Sequence, residues 1–162
     1  MNLELTNKLL VSKKYLCELE KLAEFEQERI FCRHNIEHSL DVARITLIMC
    51  HENDIAADPD IIYSAALLHD IGRTDEYISG VPHEKAGIGK AEAILDDINC
   101  EERKKKKILS LIGNHRNNCE KNHQLLEDLF CKADKKSRLC FCCHAQEQCN
   151  WHKEKRNMNI EV

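Results

Sequence analysis

The sequence predicts an all-α domain: a bundle of about six helices followed by a short Cys-rich C-terminal tail. Three observations predict it. Five Gly and two Pro are all that punctuate 162 residues, so long uninterrupted elements are available. One Trp, three Tyr and four Phe leave few of the aromatic runs that strands favour. Apolar residues recur at steps of three and four, the period of a helix face. The length is that of one domain able to bury its own core. We read it as a bundle over 1–138, with a tail over 139–162 packed on the same domain.

Thr6 to Arg29 reads as one amphipathic packing helix, with Leu9, Leu16, Leu19 and Ala23 on one side and Lys and Glu between them. A second helix runs from about Asn35 to Glu52, and His34, His38, Val42, Ile45 and Met49 share one stripe. In the break that follows, Asp58 suits an N-cap and Pro59 the first helical position. The third helix, Asp60 to Ile71, is apolar nearly all round through Ile61, Ile62, Ala65, Ala66, Leu67 and Leu68, so it should be central. Gly72 reads as its C-terminal stop. His69 and Asp70 stand at the end of this oily helix, where burying a charge is costly unless it is paired or metal-bound. A polar loop is expected over Thr74 to Val81. Pro82 then opens a helix from His83 to Asp96, followed by helices over Glu101–Asn114 and Gln124–Ser137, the last with Leu125, Leu126, Leu129 and Ala133 inward.

The net charge of −4 gives no global basic field, so nucleic acid is not an expected partner. The one strong charge run, Arg103 to Lys107, reads as a solvated helix face partly offset by Glu101 and Glu102; it lacks the aromatic partners of a strand-binding surface. No apolar run approaches a membrane span, and Met1-Asn2-Leu3-Glu4 lacks the pattern of a signal peptide. The expected location is the cytoplasm. In a reducing compartment, clustered cysteines point to metal ligands rather than disulfides. Of the ten Cys, Cys131, Cys140, Cys142, Cys143 and Cys149 crowd the last third. Cys17, Cys50, Cys100 and Cys119 read as scattered small hydrophobes.

Five of the nine His fall at helix ends or on apolar helix faces: His34, His38, His69, His83 and His115. With Asp70 and Asp134 they form a candidate ligand set. Imidazole and carboxylate suit divalent iron, manganese, zinc and related ions, and a helical bundle can bring them together from separate helices.

The order His38, then His69-Asp70, then Asp134 resembles the HD superfamily of metal-dependent phosphohydrolases. Glu37 to Ala43 resembles its first motif, Ala65 to Arg73 its defining motif, and Lys132 to Lys135 its last. The resemblance covers about Arg33 to Arg138. It implies an all-helical bundle with a metal at its centre. HD proteins with two metals carry extra histidines between the second and last motifs, where His83 and His115 stand here. That pattern resembles the bacterial HD enzymes that split dinucleoside tetraphosphates. It also resembles the HD-GYP cyclic-dinucleotide phosphodiesterases, without their Gly-Tyr-Pro signature. The resemblance therefore implies one or two divalent ions (Fe, Mn, Zn, Ni or Mg). His38, His69, Asp70 and Asp134 would hold one, and Asp70, His83 and His115 the other.

The implied chemistry is attack by a metal-activated water, whose pKa falls from about 15.7 toward about 7. Asp70 and Arg73 are the expected catalytic residues, Arg73 lying one turn beyond the ligand pair and suited to bidentate phosphate contact. Arg116 and Arg138 are further phosphate candidates. The expected substrate is a small phosphorylated molecule, nucleotide-like. Two other readings compete: a di-iron oxidoreductase on the same His and Asp set, and a non-catalytic nucleotide sensor.

The tail forms a second candidate site. Cys140 and Cys143 have a Cys-x-x-Cys spacing, Cys149 is a third thiol, and Cys32, just before His34, is a candidate fourth beside Cys142, His144 and His152. Such thiolates suit structural zinc or an iron–sulfur cluster. The tail resembles the Cys-rich segments that end some uncharacterised bacterial HD proteins.

Overall fold

The computed structural model describes residues 3–116 and 125–160; Cys119 and the expected helix start at Gln124 lie outside them. The described residues contain eight α-helices and no strand. The all-helical expectation holds, and the count is close to the six expected.

The single N-terminal helix expected is instead two, α1 (Glu4–Leu10) and α2 (Lys13–Phe25). Ser12 leaves the helical backbone, and its hydroxyl caps α2 by accepting from the Tyr15 N–H at 3.5 Å. The break lets α1 point its N-terminus at Asp60, far away in sequence. The Asp60 carboxylate accepts from the N–H groups of Leu5 at 3.1 Å and Thr6 at 2.9 Å, and from the Thr6 hydroxyl at 2.8 Å. Leu9, Leu16 and Leu19 keep helical spacing across the break, so periodicity alone hides it.

Asn35 caps α3 (Ile36–Glu52) by accepting from the His38 N–H at 3.0 Å. Asp58 caps α4 (Pro59–Leu68), with Pro59 in the first turn, as expected. Ile62, Ser64, Ala65, Ala66 and Leu68 of α4 are fully buried, so α4 is central. It packs against α1, α3 and α7 (Glu102–Asn114). The other packed pairs include α3 with α8 (Leu125–Lys136), and α6 (His83–Asp97) with α7 and α5 (Arg73–Ser79).

Three details around the end of α4 differ from expectation. The helix stops at Leu68 rather than Ile71, and 69–72 form a turn. Gly72 has an ordinary φ of −82°, so a left-handed stop is not its role. A Cβ at Gly72 would lie 2.2 Å from the His83 carbonyl oxygen and 2.5 Å from the Gly87 nitrogen. Glycine is needed there because α6 crosses backbone to backbone. Finally, the segment expected as a polar loop is α5, stopped by Gly80 at a left-handed φ of 74°.

Two members of the charge run on α7 are held in ion pairs. Lys104 pairs with Asp58 and Asp60, and Lys105 with Asp96 and Glu102. Among the described residues no helix is long and apolar enough to cross a membrane. The tail forms three short 3-10 turns, Cys140–Cys142, Gln146–Gln148 and Lys153–Lys155.

Candidate metal centre

The end of α4, the start of α6, the end of α7, the first turn of α3 and the last turns of α8 meet in one buried place. Two ligand groups converge there, each with its ligand atoms within 4.8 Å of one another: His38, His69, Asp70 and Asp134, and Asp70, His83 and His115. Asp70 belongs to both. Its Oδ2 lies 2.9 Å from His69 Nε2 and 3.5 Å from His38 Nε2, and its Oδ1 lies 3.2 Å from His83 Nε2. Asp134 Oδ1 lies 3.2 Å from His38 Nε2 and 3.7 Å from His69 Nε2.

The surroundings determine which nitrogen each imidazole offers. His69 Nδ1 donates to the Ala66 carbonyl at 2.6 Å, and His115 Nδ1 to the Ile112 carbonyl at 2.5 Å. His83 Nδ1 donates to Glu76 at 2.7 Å. The Ser137 hydroxyl spends its proton on the Asp134 carbonyl at 2.6 Å, so it accepts from His38 Nδ1 at 3.0 Å. All four rings thus carry their proton on Nδ1 and turn the Nε2 lone pair inward, the arrangement by which outer partners orient metal-bound histidines.

These lone pairs face atoms that repel them. His83 Nε2 and His115 Nε2 stand 2.9 Å apart. His69 Nε2 and Asp70 Oδ2 are both buried without a hydrogen-bond partner. Leaving such atoms unpaired costs about 1–3 kcal/mol each, and positive charge at the centre, as a proton or a metal cation, relieves these contacts. The cluster's charge points the same way. Burial alone would lower the His69 pKa, but without an ion the Asp70 charge and contacts with Asp134 outweigh burial and lift it to about 10, so a proton sits on Nε2 against Asp70 where a bound cation would take its place. Asp70 and Asp134 are held well below the usual carboxylate range despite burial, by His69, His38 and, at Asp134, the Arg138 charge. Burial, then the His69 charge, push His115 down to about 4. Two ionised carboxylates among imidazoles demand positive charge, and the donor set suits a divalent ion.

A model of the HD domain matches residues 35–139, about two thirds of the sequence. The chain belongs to the HD domain family. HD domains bind divalent metals, and the buried His/Asp cluster can hold one. A protein of Clostridium beijerinckii described as uncharacterized is 37% identical over 154 residues, covering 95% of this chain and 96% of its own. The crystal structure of a predicted HD superfamily hydrolase from an uncultured Thermotogales bacterium matches with a TM-score of 0.63 at 20% identity, over 91% of this chain and 82% of that one. That likeness shows a shared HD fold.

Three arginines surround the HD cluster. Arg73 Nε donates to Asp70 Oδ1 at 2.9 Å and its Nη1 to Glu76 at 3.0 Å. Arg138, buried at 8% exposure, contacts His38 Nε2 at 3.0 Å and Asp134 Oδ1 at 3.3 Å, standing where positive charge is needed. Arg116 is half-exposed and paired with Glu76 at 2.9 Å.

Sequence reasoning missed four residues of this centre. Glu76 orients His83 and binds Arg73 and Arg116, but it sits in the segment read as a loop; the spacing Asp70-x-x-Arg73-x-x-Glu76 was the available signal. Ser137 orients His38 from the end of the last predicted helix. Glu26 and Tyr77 form a flanking buried network with His34. Glu26 accepts from the His34 N–H at 2.7 Å, from His34 Nδ1 and from the Tyr77 hydroxyl at 2.6 Å. His34, a more doubtful ligand candidate, is therefore bound to Glu26, with its ring centre 6.0 Å from that of His38 and the two rings edge to face. Burial would raise the Glu26 carboxyl, but hydrogen bonds from His34, the His34 charge and Tyr77 bring it down to about 2.

A cleft of about 360 Å³ between α2 and α6 is lined by Lys13, Lys14, Glu18 and Lys90, and no cluster residue reaches it. A cavity of about 10 Å³, room for one water, lies behind Asp70 between Tyr15 and His34. No cysteine belongs to either ligand group.

Proposed function

We propose that this protein is a metal-dependent phosphohydrolase, acting in the cytoplasm on a phosphoester or phosphoanhydride of a small, nucleotide-like substrate. The observation that carries this reading is Asp70. Its two oxygens face two different imidazole groups, and a guanidinium, Arg73, sits on the same carboxylate.

A divalent ion, when bound, supplies a Lewis acid and lowers the pKa of a water toward about 7. The chain's own residues do the rest. His38, His69, Asp70 and Asp134 would hold one ion, and Asp70, His83 and His115 a second. Ala66, Ile112, Glu76 and Ser137 keep the imidazole lone pairs aimed inward. Asp70 spans the two groups and sets their separation. Arg73 and Arg138 place guanidinium groups beside the ligand carboxylates, where phosphoryl oxygens would gather charge in the transition state. Two parallel donors from one guanidinium fit two such oxygens. Arg116, tied to Glu76 and Glu84 at the rim, serves the outer end of the substrate.

A panel of nucleotides and dinucleotides, incubated with the protein loaded in turn with Mn, Fe, Zn, Ni and Mg, tests the reading. Release of phosphate or nucleoside monophosphate is expected for at least one pair. Tight nucleotide binding without turnover would instead indicate a sensor, and oxygen uptake with a substrate an oxidoreductase; either overturns the hydrolase.

A further inference from the structure

We propose that Phe25 and Tyr77 form a stacking platform for the base of a nucleotide substrate, beside the metal centre. The platform rests on the phosphohydrolase reading and deepens it: the His/Asp centre takes the phosphate, and the two rings take the base.

The chain has only four Phe and three Tyr, yet Phe25, Phe31 and Tyr77 gather around one arginine. The rings of Phe25, the last residue of α2, and Tyr77, on α5, stack with centroids 6.1 Å apart and planes 25° apart. The Arg29 guanidinium lies over Tyr77 at 6.0 Å and over Phe31 at 5.8 Å. A pair that served only to pack α2 on α5 would bury its faces. Instead Phe25 is 50% exposed and Tyr77 37%. Exposed apolar patches with a polar rim mark binding surfaces.

The platform is held in place from beneath. The Tyr77 hydroxyl donates to Glu26 at 2.6 Å, and Glu26 accepts from the His34 N–H at 2.7 Å. The ring is thereby tied to the segment that leads into His38. Arg29 Nε donates to the Cys32 carbonyl at 2.9 Å and stands 3.9 Å from Glu26. A surface ordered in advance loses less entropy when its ligand arrives.

Its position and chemistry fit a nucleotide. Tyr77 follows Arg73 by four residues on α5, so the two side chains share a face, with Cβ atoms about 5–6 Å apart. Arg73 Nε donates to Asp70, the carboxylate common to both ligand groups. The path from Asp70 through Arg73 to Tyr77 leaves room for a sugar between phosphate and base. Stacking uses the π-face that every base carries, and a guanidinium over the same rings favours them further. The Tyr77 hydroxyl is already committed to Glu26. The platform therefore reads no hydrogen-bond code and accepts any base, purines best because their rings are largest.

The test uses magnesium-loaded protein and two probes. Binding of ethenoadenosine monophosphate is read by fluorescence anisotropy. Ribose phosphate, a phosphoester without a base, is read by competition and by phosphate release. Phe25→Leu keeps the apolar bulk and removes the π-face; Phe25→Trp keeps and enlarges that face. Phe25 is half-exposed at a helix end, so both variants should retain their helical circular dichroism. Expected is a roughly tenfold loss of ethenoadenosine monophosphate affinity in Phe25→Leu, wild-type affinity or better in Phe25→Trp, and a preference for nucleotide over ribose phosphate that falls with the first. No nucleotide binding by wild type, unchanged affinity in Phe25→Leu, equal loss in Phe25→Leu and Phe25→Trp, or equal loss for both probes overturns the platform. Phosphate release by wild type in those cases leaves the phosphohydrolase standing. Wild type that sediments as a dimer beside a monomeric Phe25→Leu assigns the rings to a second copy of the chain and overturns the platform too.

Discussion

His83 and His115, thirty-two residues apart in sequence, meet through their Nε2 atoms at 2.9 Å, each with its Nδ1 proton already committed to Glu76 or to the Ile112 carbonyl. With both Nδ1 protons committed, the two Nε2 lone pairs face each other in a buried place, and a shared cation satisfies both. The first prediction follows from this pair. Wild-type protein should bind close to two divalent ions per chain, and a His83→Ala, His115→Ala double variant close to one, by elemental analysis after extensive dialysis. One ion in both proteins would remove the second metal.

Among the described residues, Glu76 reaches the centre through His83, Arg73 and Arg116. Replacing it with Ala frees the His83 ring to rotate and change tautomer. Outer partners of this kind are worth about 10–100-fold in metal affinity or activity. Competition with a chelating dye should show that loss for one ion and not for the other. Equal weakening of both ions would mean that Glu76 acts through general charge rather than by orienting His83.

The ligand motif around His69 and Asp70 was legible because a polar pair at the end of an apolar helix is costly without a purpose, and because His38 and Asp134 kept the family's order around it. The fold class was legible from periodicity and the scarcity of breakers. Other features were not. The break between α1 and α2 is invisible because Leu9, Leu16 and Leu19 stay in helical phase across it, and because its cause, the Asp60 carboxylate, lies on another helix. Seven residues of α5 are too few to show a helical period, so Glu76 was lost in a presumed loop. Gly72 looks like a helix stop in sequence because a local pattern cannot reveal a backbone crossing with α6.

That crossing gives the third prediction. Gly72→Ala forces a Cβ against the His83 carbonyl and the Gly87 nitrogen, both backbone atoms that cannot swing aside. Overpacking of this kind costs about 1–3 kcal/mol or more, and the shift of α6 should carry His83 out of line. The midpoint of urea unfolding should fall and metal affinity with it. An unchanged midpoint would mean that α5 and α6 do not approach as closely as described.

The fourth concerns Glu26. Its carboxyl titrates at about 2 in the folded protein against an ordinary 4.5, so it binds fewer protons folded than unfolded. Its stabilisation is therefore complete above about pH 4.5 and is lost as pH falls from there toward 2. Glu26→Gln should cost about 1–3 kcal/mol at pH 7, because His34 and Tyr77 lose a charged acceptor. The gap between wild type and variant should close progressively from pH 5 to pH 2. A constant gap over that range would mean that the Glu26 charge does not contribute.

The most direct measurement is phosphate release and metal content in parallel for wild type and Asp70→Ala, on the substrate found in the nucleotide panel. Wild type should carry its ions and lose all hydrolysis when a chelator strips them, with recovery on adding back a divalent metal. Asp70→Ala, its helical circular dichroism intact, should hold neither ion and release no phosphate at any metal concentration. Wild-type rates in Asp70→Ala, or hydrolysis by wild type that is indifferent to chelation, would contradict a metal centre bridged by this carboxylate.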